Sequence, residues 1–344
     1  MVRKIFRLVS LSLLLGLFSC GKEPSRESAA PRGSVLFRIE ETQTKSDVTL
    51  HELGLRHAEV LVFRRSTGQL EGALDATREG SGILHASMEF PTGVSFNYVV
   101  IANGPDGLKE LAATLGETAF LQQLSLLTHT TSTSLVMYGS GSFAISTHNP
   151  SVIEVSMRRY SCKVSVESVE LKWLDAFSTP PSVTLERIVL VNVVGSTPFS
   201  AVPAVGETWY NRQGVDVSLP AIVKDVTVAE YGSLPVVSSS AVNTLVPLYC
   251  MPNPTSNNVN SLNAPSWSPR NTRVALELKV DGVSNWYPVD LPAMLCNRHY
   301  LIRRMEVMGP GSQGPDYPVE RNDVVFTLEV LPWGDEEIEV SFTD

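Results

Sequence analysis

Cys20 carries the most definite chemistry in this chain, because of what precedes it. Arg3, Lys4 and Arg7 form a basic start, and Leu8 to Phe18 follow as an apolar run broken only by Ser10, Ser12 and Gly16. Leu17-Phe18-Ser19 then leads into the cysteine. A basic segment followed by a short apolar stretch is the pattern of a cleaved export signal. The run is too short to cross a hydrocarbon core of ~30 Å as a permanent helix. A small residue directly before a cysteine is what a lipoprotein peptidase requires, since the thiol is acylated and the cysteine becomes the new N-terminus. The expectation is a signal over residues 1–20 and covalent lipid on Cys20. Three acyl chains hold far better than the single chain that binds membranes only marginally.

The other reactive side chains do not converge. There is no Gly-rich phosphate loop and no Gly-x-Ser-x-Gly elbow. His51, His57, His85, His129, His148 and His299 are scattered singly, without the short spacings that place two ligands on one metal. Asp335-Glu336-Glu337 is a carboxylate run whose members point alternately to opposite sides of a strand, which reads as a solvated turn. Cys162, Cys250 and Cys296 lack zinc-knuckle spacing. One pair, with Cys250 and Cys296 the candidates, is able to bridge in an oxidising compartment. The expectation is a non-enzymatic protein with no metal, no small-molecule substrate and no cofactor beyond the lipid. A formal charge of −9 argues against nucleic acid and against sustained contact with anionic headgroups.

The elements that would position these residues are mostly strands. Val35 to Glu40 is a short strand, Glu59 to Arg64 alternates, and Phe96 to Ala102 is a near-continuous apolar run, as in a strand buried on both faces. Further strands are expected at 152–157, 162–173, 183–194, 225–230, 274–280, 300–307 and 324–330. Leu108 to Leu127 is the one helical region of the first half, with Leu108, Leu111, Ala112 and Leu115 at helical spacing and Leu121, Leu124 and Leu127 continuing it. Pro and Gly, 22 and 23 of them, cut the chain into short segments. Short strands, regular turn signals and a single helical patch predict a mostly all-β protein of sandwich type.

Residues 21–33 are polar, without an apolar period, and read as a flexible tether. A Gly/Ser/Thr/Asn/Pro loop from Gly139 to Ser151 and a fresh run of strands from Cys162 put a boundary near Arg158–Lys163. That gives an N-terminal β-sandwich over 34–160 and a C-terminal one over 161–344. Ser196–Val215 and Pro252–Arg270 are long loops in the second half, of the kind that carry function or move. No aspartate follows Cys20, and Lys22-Glu23 resembles the surface-export tag of outer-membrane lipoproteins. Outer-membrane lipid is therefore an expected partner.

Several stretches carry a family resemblance. Val60-Leu61-Val62-Phe63 with its Ser66-Thr67-Gly68 turn is similar to the first conserved strand of fimbrillins, the subunits of type V pili. Tyr98 to Asn103, Val155 to Val164, Leu248 to Asn253, and Asn297 to Tyr300 leading to Gly309-Pro310-Gly311 are similar to further family stretches. Leu328 to Trp333 resembles the closing strand and its tryptophan. These matches run in the family's order over residues 35–344.

The resemblance implies two tandem transthyretin-like β-sandwich domains, with one short helical region in the first, and a structural role in a polymer. Shaft subunits of this class lose their first strand to an arginine-specific protease, and the C-terminal strand of another subunit fills the groove. Main-chain hydrogen bonds supply affinity, and alternate side chains seated in the groove supply register. Ile338, Val340 and Phe342, alternating with Glu337, Glu339 and Ser341, form a candidate donor strand; the last strand of the chain's own sheet is the alternative.

Where shaft subunits carry arginine after the first strand, this chain reads Glu41-Thr42-Gln43-Thr44-Lys45-Ser46-Asp47. The first strand, Val35, Leu36, Phe37 and Ile39, is then expected to stay, along with its link to Cys20. That implies an anchor that holds a fibre to the outer membrane, limits its length and is partnered by a shaft subunit. A shaft or tip subunit remains an alternative. So does a surface glycan-binding lipoprotein using Trp173, Trp209, Trp267, Trp286 or Trp333, although one member of each adjacent pair, Trp209-Tyr210 and Trp286-Tyr287, is expected to face the core.

Overall fold

The computed structural model describes residues 31–41, 54–79, 83–145, 151–173, 181–202, 204, 208–212, 224–237, 240–257, 267–317, 319, 323–333 and 340–341. Residues 31–159 run β1 (Arg32–Glu41), β2 (Ala58–Arg64), β3 (Leu70–Asp75), β4 (Thr77–Glu79), β5 (Ile83–Pro91), β6 (Ser95–Ala102), α1 (Leu108–Leu121), β7 (Leu124–Leu126), β8 (Met137–Ala144) and β9 (Ser151–Arg159). The rest runs β10 (Cys162–Val166), β11 (Ser168–Leu171), β12 (Val183–Val191), β13 (Val193–Val194), β14 (Ser196–Pro198), β15 (Trp209–Tyr210) and α2 (Lys224–Thr227). It continues β16 (Val228–Pro235), β17 (Val242–Asn243), β18 (Leu248–Cys250), β19 (Arg273–Val280), β20 (Val283–Asp290), β21 (Arg298–Val307), β22 (Val324–Pro332) and β23 (Val340–Ser341).

The first half folds as one eight-stranded path, β3-β2-β6-β8-β9-β1-β5-β4. It bends back on itself at the β8–β9 corner, where only Met137↔Arg159 and Tyr138↔Arg158 pair. The two layers so formed enclose a core to which Val35, Phe37, Ile39, Val60, Val62, Phe90 and Phe96 each contribute a fully buried side chain. The second half builds a seven-stranded sheet around β21 and a four-stranded sheet, β16-β12-β19-β20. In each half the opening strand runs parallel to a much later one, β1 to β9 and β10 to β21. The molecule is a mostly-β sandwich protein, as its period-two patterning predicts.

Main-chain bonds join the two halves. β7 pairs with β14, Phe199 N donates to Gln123 O at 2.9 Å, and Ser200 N donates to Leu121 O at 3.0 Å. These pairings correct the helical reading at Leu124, while Leu127 opens a short 3-10 turn over Leu127–His129. The helix stops at Leu121 because Leu124–Leu126 finds a strand partner, and a residue spent in a ladder cannot also close an i→i−4 turn. Within α1, Gly116 at φ 70° breaks the helical path, and Glu117 N donates to Gly68 O at 2.8 Å.

Other differences have local causes. The expected loop over Gly139–Ser151 begins as a strand, β8, through Ala144. Its glycines are packing devices: a Cβ on Gly139 would lie 2.6 Å from a Val155 methyl, and one on Gly141 would lie 2.6 Å from the Tyr98 hydroxyl. The stretch expected as one strand over 162–173 breaks at Glu167, whose amide bonds Ile302 O at 2.7 Å. Residues 224–227 form a helical turn before β16, where a strand was expected. Short strands β14 and β15 occupy the expected loop over Ser196–Val215.

Candidate functional site

The strand that the sequence singled out, β1, sits inside its sheet. It pairs antiparallel with β5 from Arg32↔Pro91 to Ile39↔Leu84, and parallel with β9 from Val35↔Ser151 to Glu41↔Met157. Alternation sends Val35, Phe37 and Ile39 inward, each fully buried, and leaves Leu36 half-buried on the other face. Phe37 packs edge-on against Tyr98 at 5.5 Å and Phe143 at 5.7 Å, and Phe143 in turn meets Phe90 and Phe96. Burying three such side chains is worth roughly 1.5–3 kcal/mol each. The outward residues form exposed ion pairs, Arg38–Glu40 at 2.7 Å and Arg38–Glu154 at 3.5 Å, which add little. Taking β1 away would therefore leave an apolar slot between two unpaired ladder edges.

The segment after β1, including Lys45, lies outside the described residues, and so does Cys20. Arg56, the next arginine, is held. Its amide donates to Asn103 Oδ1 at 2.9 Å and its guanidinium to Thr133 O at 3.1 Å. Its neighbours Leu55 and Ala58 are buried at 2% and 1% exposure, which ties the backbone on both sides.

At the other end of the chain, β22 runs along β21 and β23 adds to its outer edge through Glu329↔Ser341 and Val330↔Val340. Val340 thus stands on the chain's own sheet, in a strand of two residues. Ile338 and Phe342 lie outside the described residues. Trp333, just past β22, is 2% exposed and stacks on Tyr249 at 5.8 Å.

Sequence reasoning had not found what holds this tryptophan. Arg159 places its guanidinium 4.7 Å from the Trp333 ring centroid and donates to Trp333 O at 3.1 Å. Asn297, at φ 57°, accepts from Arg159 N at 3.2 Å through its side chain and from Trp333 N at 3.1 Å through its carbonyl. The only advance signal was that Arg158–Lys163 and Asn297–Tyr300 both fell within family-like stretches. Nearby, His299 is buried against Ser165 Oγ at 3.0 Å. Burial, then the Lys163 and Arg303 charges, push its pKa down to about 3.

Among the described residues Cys162, Cys250 and Cys296 are separate thiols, and the Cys250–Cys296 pairing considered from sequence has a competitor in Cys162. Cys250 stands opposite Cys162 on β10, while Cys296 Sγ rests 3.8 Å from Ala201 O. The five tryptophans are buried or half-buried. Trp209 meets Trp267 at 5.1 Å, and Arg187 lies 5.2 Å over Trp286. Within the adjacent pairs Trp209 and Tyr287 are the core members. A cleft of about 340 Å³ opens between β6, β8, the end of α1 and Phe199–Ser200, with the Asn97–Glu117 pair, bonded at 2.9 Å, on its wall. Among the described residues no group of three His, Cys, Asp or Glu side chains is placed to hold a metal.

The fold itself defines a class. A crystallised candidate cell adhesion protein from Bacteroides eggerthii superposes with a TM-score of 0.63 at 16% identity, covering 88% of this chain and 97% of that one. A second from Parabacteroides distasonis gives 0.61 at 15% identity, covering 88% and 97%. A fimbrilin from Porphyromonas gingivalis gives 0.59 at 16% identity, covering 88% and 98%. The chain shares its fold with these proteins over nearly their whole length. No protein-family model and no curated protein sequence matches it.

Proposed function

We propose that this protein is a structural, non-enzymatic subunit of a cell-surface fimbria, assembled by strand exchange, and that it is the anchor at the membrane end. One observation carries the reading: β1 is paired on both edges, between β5 and β9, in a fold shared with a fimbrilin and with candidate adhesion proteins. A subunit whose groove keeps its own strand accepts no donor there, and it stays joined to whatever its N-terminus carries. In this reading acylated Cys20 holds the chain in the outer membrane, residues 21–33 are the tether, and the partner is a shaft subunit.

Retention of β1 is supported at both ends of the segment that follows it. Lys45 stands where an arginine-specific protease needs arginine. Arg56 offers no extended substrate, because a protease must draw out several residues around the cut, and here both the main chain and the guanidinium are bonded. The C-terminal strand is the donor in this scheme. β23 holds its own sheet through two residue pairs, so releasing it breaks little of the ladder.

The test is the mature N-terminus of protein purified from outer membranes, determined by mass spectrometry. Acylated Cys20 with Val35–Ile39 retained is the expected result. A free N-terminus within residues 42–57 would make the chain a polymerising shaft or tip subunit instead.

A further inference from the structure

Cys162 and Cys250 are direct register partners across the antiparallel β10–β18 pair. Opposite residues on such a pair hold their Cα atoms about 4.5–5.5 Å apart and their Cβ atoms on the same face. A disulfide requires a Cα separation of roughly 4.4–6.8 Å, so this position meets the requirement without backbone movement. Both side chains are fully buried, and they touch each other. Their other contacts are weak ones: Cys162 Sγ donates to Leu295 O at 3.0 Å, and Cys250 Sγ lies 3.9 Å from Met294 Sδ. Cys296 is the odd member, partly exposed and turned toward Ala201.

We propose that Cys162 and Cys250 form a cross-strand disulfide in the exported protein, leaving Cys296 as its one thiol. Each thiol gives up a proton, the S–S bond forms, and two electrons pass to an external disulfide, which is reduced to two thiols. Both thiols are fully buried, so once β10 and β18 have closed an external disulfide no longer reaches the pair. The bond must therefore form while the strands are coming together, and the compartment in which folding happens decides whether it does.

The consequence is mechanical. β18 is the end strand of its sheet and holds β10 through three residue pairs, while Tyr249 in its middle supports Trp333. A disulfide ties this short strand to β10 covalently and closes the chain from Cys162 to Cys250 into a loop, which disfavours the unfolded state. The inference needs export to an oxidising compartment and does not depend on the fimbrial reading.

In the test, the full chain is unfolded and reduced, refolded in reduced and oxidised glutathione, trapped with iodoacetamide and digested for mass spectrometry. The expected product carries linked Cys162 and Cys250 peptides, with Cys20 and Cys296 alkylated. It melts roughly 5–10 °C above the reduced form. A folded chain with all four cysteines alkylated, or a bond that uses Cys20 or Cys296, overturns the proposal. Cys296→Ser removes competition from the third thiol and is expected to keep the link. The same trapping on protein from outer membranes should find the pair oxidised, and finding it reduced there overturns the proposal. Absence of the chain from that fraction faults the export reading instead, and the refolding result then decides the pairing.

Discussion

The Arg159 guanidinium lies 4.7 Å from the centre of the Trp333 ring and donates to that residue's carbonyl at 3.1 Å. The contact spans 174 positions of sequence. It joins the end of the strand beside β1 to the end of the strand that carries the C-terminal tail. Arg159 is 2% exposed, so its charge is held where both the ring and the carbonyl can satisfy it.

Trp333→Ala is expected to cost about 3–5 kcal/mol, because it empties a buried site and removes the carbonyl-linked arginine's ring partner. Urea denaturation measures the loss. Arg159→Met keeps most of the apolar volume and should cost less. Equal losses would show that the cation contributes as much as the ring.

A chain lacking residues 32–41 is expected to expose the β5–β9 slot, bind a hydrophobic dye and melt early. A synthetic peptide of Arg32–Glu41 added in trans should raise the melting temperature and displace the dye. In the same peptide Phe37→Ala should abolish most of the effect, since that ring fills the aromatic cluster of Tyr98 and Phe143. A deletion variant that melts like the parent would show that β1 is not what fills the slot.

Gly116 and Gly107 allow a paired test of backbone strain. Both have positive φ, 70° and 85°, but a Cβ on Gly116 would lie 3.0 Å from Gly68 O, while one on Gly107 meets nothing within 4 Å. Either substitution by alanine costs about 1–2 kcal/mol for the left-handed conformation. Gly116→Ala should cost measurably more, with the excess read from the shift in denaturation midpoint at constant slope.

His299 makes stability fall in acid. Its pKa is about 3 in the folded chain and near the usual 6.5 unfolded, so below 6.5 the unfolded state takes up a proton that the folded state refuses. The contribution is intact above pH 6.5. It is lost at roughly 1.4 kcal/mol per pH unit as pH falls toward 3. His299→Gln should flatten that part of the stability–pH curve, and an unchanged slope between pH 6 and 4 would show that other groups carry it.

How much was readable in advance varied with the local physics. β1 and β6 were legible because each buries the faces its pattern predicts: alternate residues in Val35–Ile39, and nearly all of Tyr98–Ala102. β8 was not, because Met-Tyr-Gly-Ser-Gly-Ser-Phe-Ala has the composition of a loop, and its glycines make sense only once Val155 and Tyr98 press against them. β20 was also missed, since its first half is exposed or half-buried on both faces, whereas β5 was missed although Leu84, Ala86, Met88 and Phe90 alternate inward.

From the order of its residues alone, the chain determined that it would be mostly strand and that residues 1–20 would read as an apolar export-like segment ending at Cys20. Those properties are local: each rests on side chains within a few residues of one another, where period and spacing act directly. Tertiary structure alone decided that β1 lies between β5 and β9, that Cys162 faces Cys250, and that Arg159 meets Trp333. These are pairings between distant segments. Their register is selected by burial on both sides of a contact at once, and no single stretch of sequence contains both sides.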